Sequence, residues 1–128
     1  LGFEDILSTC DYVSLHVPLS PETEQMISDR ELAMMQKESF LINMSRGPTV
    51  DLDALNSALV TGQIAGAAID VTDPEPVPVD HPIVNNENVV ITPHIGSASR
   101  ATFTAMGVAA ANNIVAALQD KPIPSAVN

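Results

Sequence analysis

Val89-Val90-Ile91-Thr92-Pro93-His94-Ile95-Gly96-Ser97 is the stretch that decides the fold. Its β-branched apolar start reads as a buried strand, and Thr-Pro stops it. A histidine follows at once, ahead of a small-residue turn and a long apolar helix. The same layout occurs twice upstream. Phe40-Leu41-Ile42-Asn43-Met44 runs into Ser45-Arg46-Gly47, and Ala65-Gly66-Ala67-Ala68-Ile69-Asp70-Val71 runs into Asp73-Pro74-Glu75-Pro76. Three successive strands are thus expected to deliver a cation, a carboxylate and an imidazole to one edge. In open α/β sheets the carboxyl edge of the strands is where ligands bind.

Outward from these strands, helices alternate with them. Phe3 to Ser8 reads as a short helix, and Tyr12 to Val17 as a strand stopped by Pro18. Ser20-Pro21-Glu22 has a cap, a proline and an acid in the order of a helix start. Ser28-Asp29-Arg30-Glu31 matches the capping box and predicts a helix through about Gln36. Asp51 is placed to cap a helix whose Leu52, Leu55 and Leu59 share a face, and Gly62 to close it. Ser99 is placed to cap the last helix, with Phe103, Met106, Ala110, Ile114 and Leu118 at helical spacing and Pro122 beyond its end. That helix is alanine-rich almost all round and is expected to pack on more than one side. Strand and helix in this rhythm mean parallel strands joined by right-handed crossovers. The G-x-G-x-x-G fingerprint is absent. The chain is either another kind of α/β domain or the second half of a dinucleotide fold.

At 128 residues and 45% hydrophobic, the chain fits one ordinary globular domain. It starts at Leu1 without an initiator methionine, and a fragment is the expectation. A formal charge of −11, with only five Lys and Arg, argues against nucleic acid or an anionic membrane as partner. No apolar run approaches the ~20 residues of a bilayer span. Signal-peptide character is also missing at the N-terminus. Cys10 is alone, which rules out an internal disulfide and points to a reducing, cytoplasmic setting.

Arg46 follows an apolar strand in a chain with little basic character. A buried unpaired charge there would cost several kcal/mol, so an anion or water is required. A planar guanidinium suits a carboxylate held by two hydrogen bonds, and a structural salt bridge is the alternative. His94 is the candidate for proton transfer, against a plain role as turn or cap residue. Glu75 is placed to orient it and favour its charged form, against simple solvation in a proline loop. His16 reads as a strand residue and His81 as a surface loop residue. With Cys10 they lack zinc-ligand spacing, so no metal site is expected. Ser45 and Ser97 lack the G-x-S-x-G elbow of a serine hydrolase.

Ile42-Asn43-Met44-Ser45-Arg46-Gly47 with Val50-Asp51, Asp70-Val71 through Glu75-Pro76, and Thr92-Pro93-His94-Ile95-Gly96-Ser97 resemble the NAD(P)-dependent D-2-hydroxyacid dehydrogenases in order and spacing. Thr72, the Pro74-Glu75-Pro76-Val77-Pro78 loop with His81-Pro82, and the Pro122-Ile123-Pro124-Ser125 ending resemble the glyoxylate/hydroxypyruvate reductases among them. Pro48 departs from that pattern. The resemblance implies an α/β chain, residues 1–128, forming the second half of a Rossmann-type doubly wound parallel sheet with a long C-terminal helix. It implies hydride transfer between NAD(P)H and a small 2-oxo acid, with NAD or NADP left open. It further implies that His94 protonates the carbonyl oxygen, Glu75 pairs with it, and Arg46 binds the substrate carboxylate. Asp70 would accept from the nicotinamide carboxamide, and Val17-Pro18, Met44-Ser45 and Gly96-Ser97 would line the cofactor. The full-length protein would be a homodimer, while this chain alone would be inactive. The competing expectations are a transcriptional corepressor resembling C-terminal binding proteins and an inactive truncation product.

Overall fold

A computed structural model gives the fold and describes residues 1–126, so the last two residues of the expected domain lie outside it. The chain forms two compact units, Leu1–His94 and the part from Ile95 on. In the first, α1 (Phe3–Thr9) precedes β1 (Tyr12–Leu15), α2 (Asp29–Met34), β2 (Phe40–Asn43), α3 (Leu52–Thr61), β3 (Gly66–Ile69) and β4 (Val89–Ile91). Single 3-10 turns cover Gly47–Thr49 and Pro82–Asn85. The strands pair in sequence order, β1-β2-β3-β4, all parallel. This is the parallel α/β sheet expected from the strand–helix rhythm.

One sheet face carries the core. Val13, Leu15, Leu41, Ala67 and Ile69 pack with Leu7 of α1, Leu32 of α2, and Leu55 and Leu59 of α3. Each fully buried leucine contributes roughly 1.5–3 kcal/mol over its exposed state. The opposite face is open: Ser14, Ile42, Ala68 and Val90 lie in register on it, and Tyr12 stacks on Phe40 with ring centroids 5.4 Å apart. A side chain at Gly66 would meet the Phe40 ring at 2.8 Å, so the ring would have to move to admit one.

The caps form where the sequence places them. Asp51 Oδ1 accepts from Ala54 N–H at 3.0 Å, and Gly62 closes α3 in the left-handed region at φ 68°. The Ser28 N–H and Oγ–H both donate to Glu31 Oε2, at 3.2 and 2.8 Å. Ser20-Pro21-Glu22 does not open a helix. There Thr23 Oγ1 accepts from Ser20 N–H at 2.8 Å and donates to Pro18 O at 2.7 Å, while Gln25 turns the chain at φ 48°. These bonds close a turn before a second helical turn can form. β1 stops at Leu15, so His16 lies past the strand, with Nε2 2.8 Å from Ser14 Oγ.

In the second unit, Ser99 Oγ accepts from Thr102 N–H at 3.1 Å and opens α4 (Arg100–Leu118). Phe103, Met106, Ile114 and Leu118 are exposed, and Ala116 is buried. The described residues of this unit form no second helix or strand. At 19 residues, with a mean hydropathy of 1.4, α4 is long and apolar enough to cross a bilayer by length and composition alone. This corrects the expectation that no segment reaches that length.

Candidate active site

The carboxyl ends of β2, β3 and β4 are tied together beyond the sheet ladders. Asp70 N–H donates to Asn43 O at 3.0 Å, Thr92 N–H to Ile69 O at 2.9 Å, and His94 N–H to Asp70 O at 2.9 Å. Each strand therefore hands its following residue to the same edge, as the repeated layout requires. The His94 backbone sits in the left-handed region at φ 54°. That conformation costs a histidine on the order of 1–3 kcal/mol and is found at functional sites, held by surrounding bonds.

His94 Nδ1 lies 2.7 Å from Glu75 Oε1, with both side chains about half exposed. With the carboxylate accepting from Nδ1–H, Nε2 is the ring nitrogen left for a substrate. Thr72 Oγ1 donates to Pro74 O at 2.8 Å and braces the loop that carries Glu75. A cleft of about 360 Å³ opens here, bounded by Asp70, Thr92, His94 and Glu75 on its polar side and by Pro76, Val77 and Ile91 on its apolar side. Asp70 is buried, and Thr92 Oγ1 donates to its Oδ1 at 2.5 Å.

Arg46 does not line this cleft. It is exposed, its Nη1 donates to Ser45 O at 2.7 Å, and among the described residues it forms no ion pair. The structural salt bridge is therefore not made, and water meets the charge that burial would have made costly. The turn that presents Arg46 is built on a buried polar knot. Asn43 Oδ1 accepts from Ser45 N–H at 3.0 Å and from Ser45 Oγ–H at 2.8 Å. Asn43 Nδ2 donates to Arg46 O at 3.0 Å, and Thr49 Oγ1 donates to the same carbonyl at 2.6 Å. Gly47 sits against the next loop so closely that a Cβ there would stand 1.9 Å from Thr72 O. That contact seats the Arg46 turn on the chain leaving Asp70.

Of the other expected site residues, Val17 and Pro18 follow β1, and Met44 is exposed after β2, where Ser45 is buried. Gly96 and Ser97 are exposed residues of the second unit. His81 is not a free surface histidine: its Nδ1 accepts from Ile83 N–H at 3.2 Å, and its Nε2 lies 3.3 Å from Asp53 Oδ1. Among the described residues no group of three or more His, Cys, Asp or Glu is placed to hold a metal. Three contributors escape sequence reasoning: Asn43, Thr49 and Thr92. Asn43 left a trace, since an amide ending an apolar strand must find partners once buried.

The sequence of residues 1–96 matches the family of the D-isomer specific 2-hydroxyacid dehydrogenase, NAD binding domain. A glyoxylate reductase of Thermofilum pendens is 45% identical over 125 residues, 98% of this chain and 37% of that protein. The glyoxylate reductase/hydroxypyruvate reductase of Homo sapiens is 40% identical over 121 residues, 94% of this chain and again 37% of the relative. The crystal structure of a D-isomer specific 2-hydroxyacid dehydrogenase from Lactobacillus delbrueckii ssp. bulgaricus, in NAD complexed form, superposes with a TM-score of 0.91 at 33% identity. The match covers 100% of this chain and 43% of that one. The chain thus spans well under half the length of the relatives it matches. It belongs to the D-isomer specific 2-hydroxyacid dehydrogenase family, within the NAD binding domain.

Proposed function

We propose that this chain is part of a reductase that uses NAD(P)H to reduce a small 2-oxo acid, glyoxylate or hydroxypyruvate. The observation that carries the reading is the Glu75–His94 pair at 2.7 Å beside the buried Asp70 carboxylate. The cleft suits a nicotinamide: a carboxylate to accept an amide N–H, and apolar Val77 and Ile91 to meet a ring. The cofactor supplies the hydride; the protein supplies position, charge and a proton. His94 Nε2–H gives its proton to the carbonyl oxygen, and Glu75 fixes the ring and favours the imidazolium. Arg46, exposed and without an acid partner among the described residues, holds the substrate carboxylate through its guanidinium fork. Asp70 accepts from the carboxamide, and the backbone at Val17-Pro18, Met44-Ser45 and Gly96-Ser97 lines the cofactor.

In this reading residues 1–128 are the second mononucleotide half of the binding domain with the helix that leaves it. The setting is a cytoplasmic homodimer, with no nucleic acid or membrane partner. The charge of −11 supports the last point, and the exposed apolar residues of α4 supply material for an interface. The named reductases among its relatives favour an enzyme over a corepressor. The test is the full-length protein with NADH or NADPH and glyoxylate, hydroxypyruvate or pyruvate, followed by cofactor absorbance. Cofactor oxidation with at least one 2-oxo acid is expected. A folded protein that oxidises neither cofactor with any of the three acids overturns the assignment.

A further inference from the structure

Thr92 ends β4 at a point where three constraints converge. It precedes Pro93, which holds its backbone extended. Its N–H is committed to Ile69 O at 2.9 Å. As a β-branched residue it has few side-chain rotamers to choose from. The hydroxyl is therefore aimed rather than free, and it donates to Asp70 Oδ1 at 2.5 Å, the length of a hydrogen bond to a charged oxygen. Asp70 is buried at the end of the neighbouring strand and borders the same cleft as His94. A carboxylate that accepts this bond is restrained about its last torsion. Thr92 is thus one of the contacts that set the acceptor directions Asp70 presents to the cleft.

We propose that Thr92 is a positioning residue that locks the Asp70 carboxylate in the orientation that accepts the carboxamide N–H of a nicotinamide. This rests on the reductase reading above and adds a residue to it. Thr92 acts on cofactor binding and leaves the Glu75–His94 proton pair alone.

The test uses the full-length protein with Thr92→Val and Thr92→Ser, each assayed with the natural reduced cofactor and with its 3-acetylpyridine analogue. The analogue keeps the carbonyl oxygen but lacks the N–H. Thr92→Val should raise KM for the natural cofactor by about tenfold, one lost hydrogen bond to a charged group, and KM for the analogue by less than about threefold. The pH profile of kcat should not move, and Thr92→Ser should restore KM to within about threefold of the parent. Thr92→Ala serves in place of the valine variant if that one does not fold. Equal losses with both cofactors, or no loss with either, overturn the proposal. Asp70→Ala, which removes the acceptor that an asparagine would keep, separates the two possible failures. If it too leaves the preference between the cofactors unchanged, the carboxamide role of Asp70 falls and Thr92 with it. If it abolishes that preference and Thr92→Val does not, only Thr92 falls.

Discussion

At the scale of single residues, the proposed reaction depends on charge placed on fixed backbone. Arg46 is held by the Asn43–Ser45–Thr49 knot at its carbonyl end, while its guanidinium stays exposed. Arg46→Lys should therefore leave the fold intact yet lose at least about tenfold in kcat/KM toward 2-oxo acids, since an ammonium cannot make the paired hydrogen bonds. A lysine variant within about threefold of the parent would remove the carboxylate-clamp role. Glu75→Gln takes a negative charge from beside His94. The imidazolium is then less favoured, and reduction needs it protonated, so the alkaline limb of the reductive pH–rate profile should move to lower pH. An unmoved limb in a variant with parental circular dichroism would count against the pairing. The place of Arg46 after β2 and the contact between Glu75 and His94 were legible, because polar residues at the ends of apolar strands stand out. Thr92 and Thr49 were not, since a hydroxyl beside a strand carries no sign of which atom it will meet.

At the scale of elements, sequence reading succeeded where one residue decides a terminus. Asp51 and Gly62 bound α3 as expected, and Asp51→Ala should cost about 1 kcal/mol, read as a lower urea midpoint with unchanged slope. In the Ser28 box, burial works against ionisation of Glu31. Hydrogen bonds from Ser28 and the backbone, with the Arg30 charge, outweigh it and hold the carboxyl below its ordinary value. The contribution is thus present above the unfolded glutamate value and lost as the pH falls through the lower folded one. Ser28→Ala should flatten that acid-side dependence in urea titrations run across the carboxylate range. The Ser20 segment misled because the same cap, proline and acid also suit a turn. What decided it was Thr23, whose hydroxyl closes back on Ser20 and Pro18.

At the scale of the molecule, alternating strands and helices were enough to give a parallel sheet. They did not reveal that the helices of the first unit line one face alone. A strand that is half apolar alternation reads the same whether its second face is covered or open. Two features bear on the chain by itself. Among the described residues β1 pairs only with β2, so its other edge offers unpaired backbone groups. The glycine turn that binds a pyrophosphate in dinucleotide folds is not among these 128 residues. Residues 1–128 made alone should therefore associate in light scattering and fail to bind NADH or NADPH at micromolar concentration in fluorescence titrations. A monodisperse monomer that binds either cofactor and reduces glyoxylate would contradict this.

The Tyr12–Phe40 stack has an optical consequence. The chain has one tyrosine and no tryptophan, and that tyrosine is two-thirds exposed on the uncovered side of the sheet. Its ultraviolet emission is a built-in reporter of solvent at that surface. Whatever comes to cover the sheet will dry the ring and shield it from added iodide. The rate at which quenching fades on assembly then measures the closing of that side directly, with no label attached.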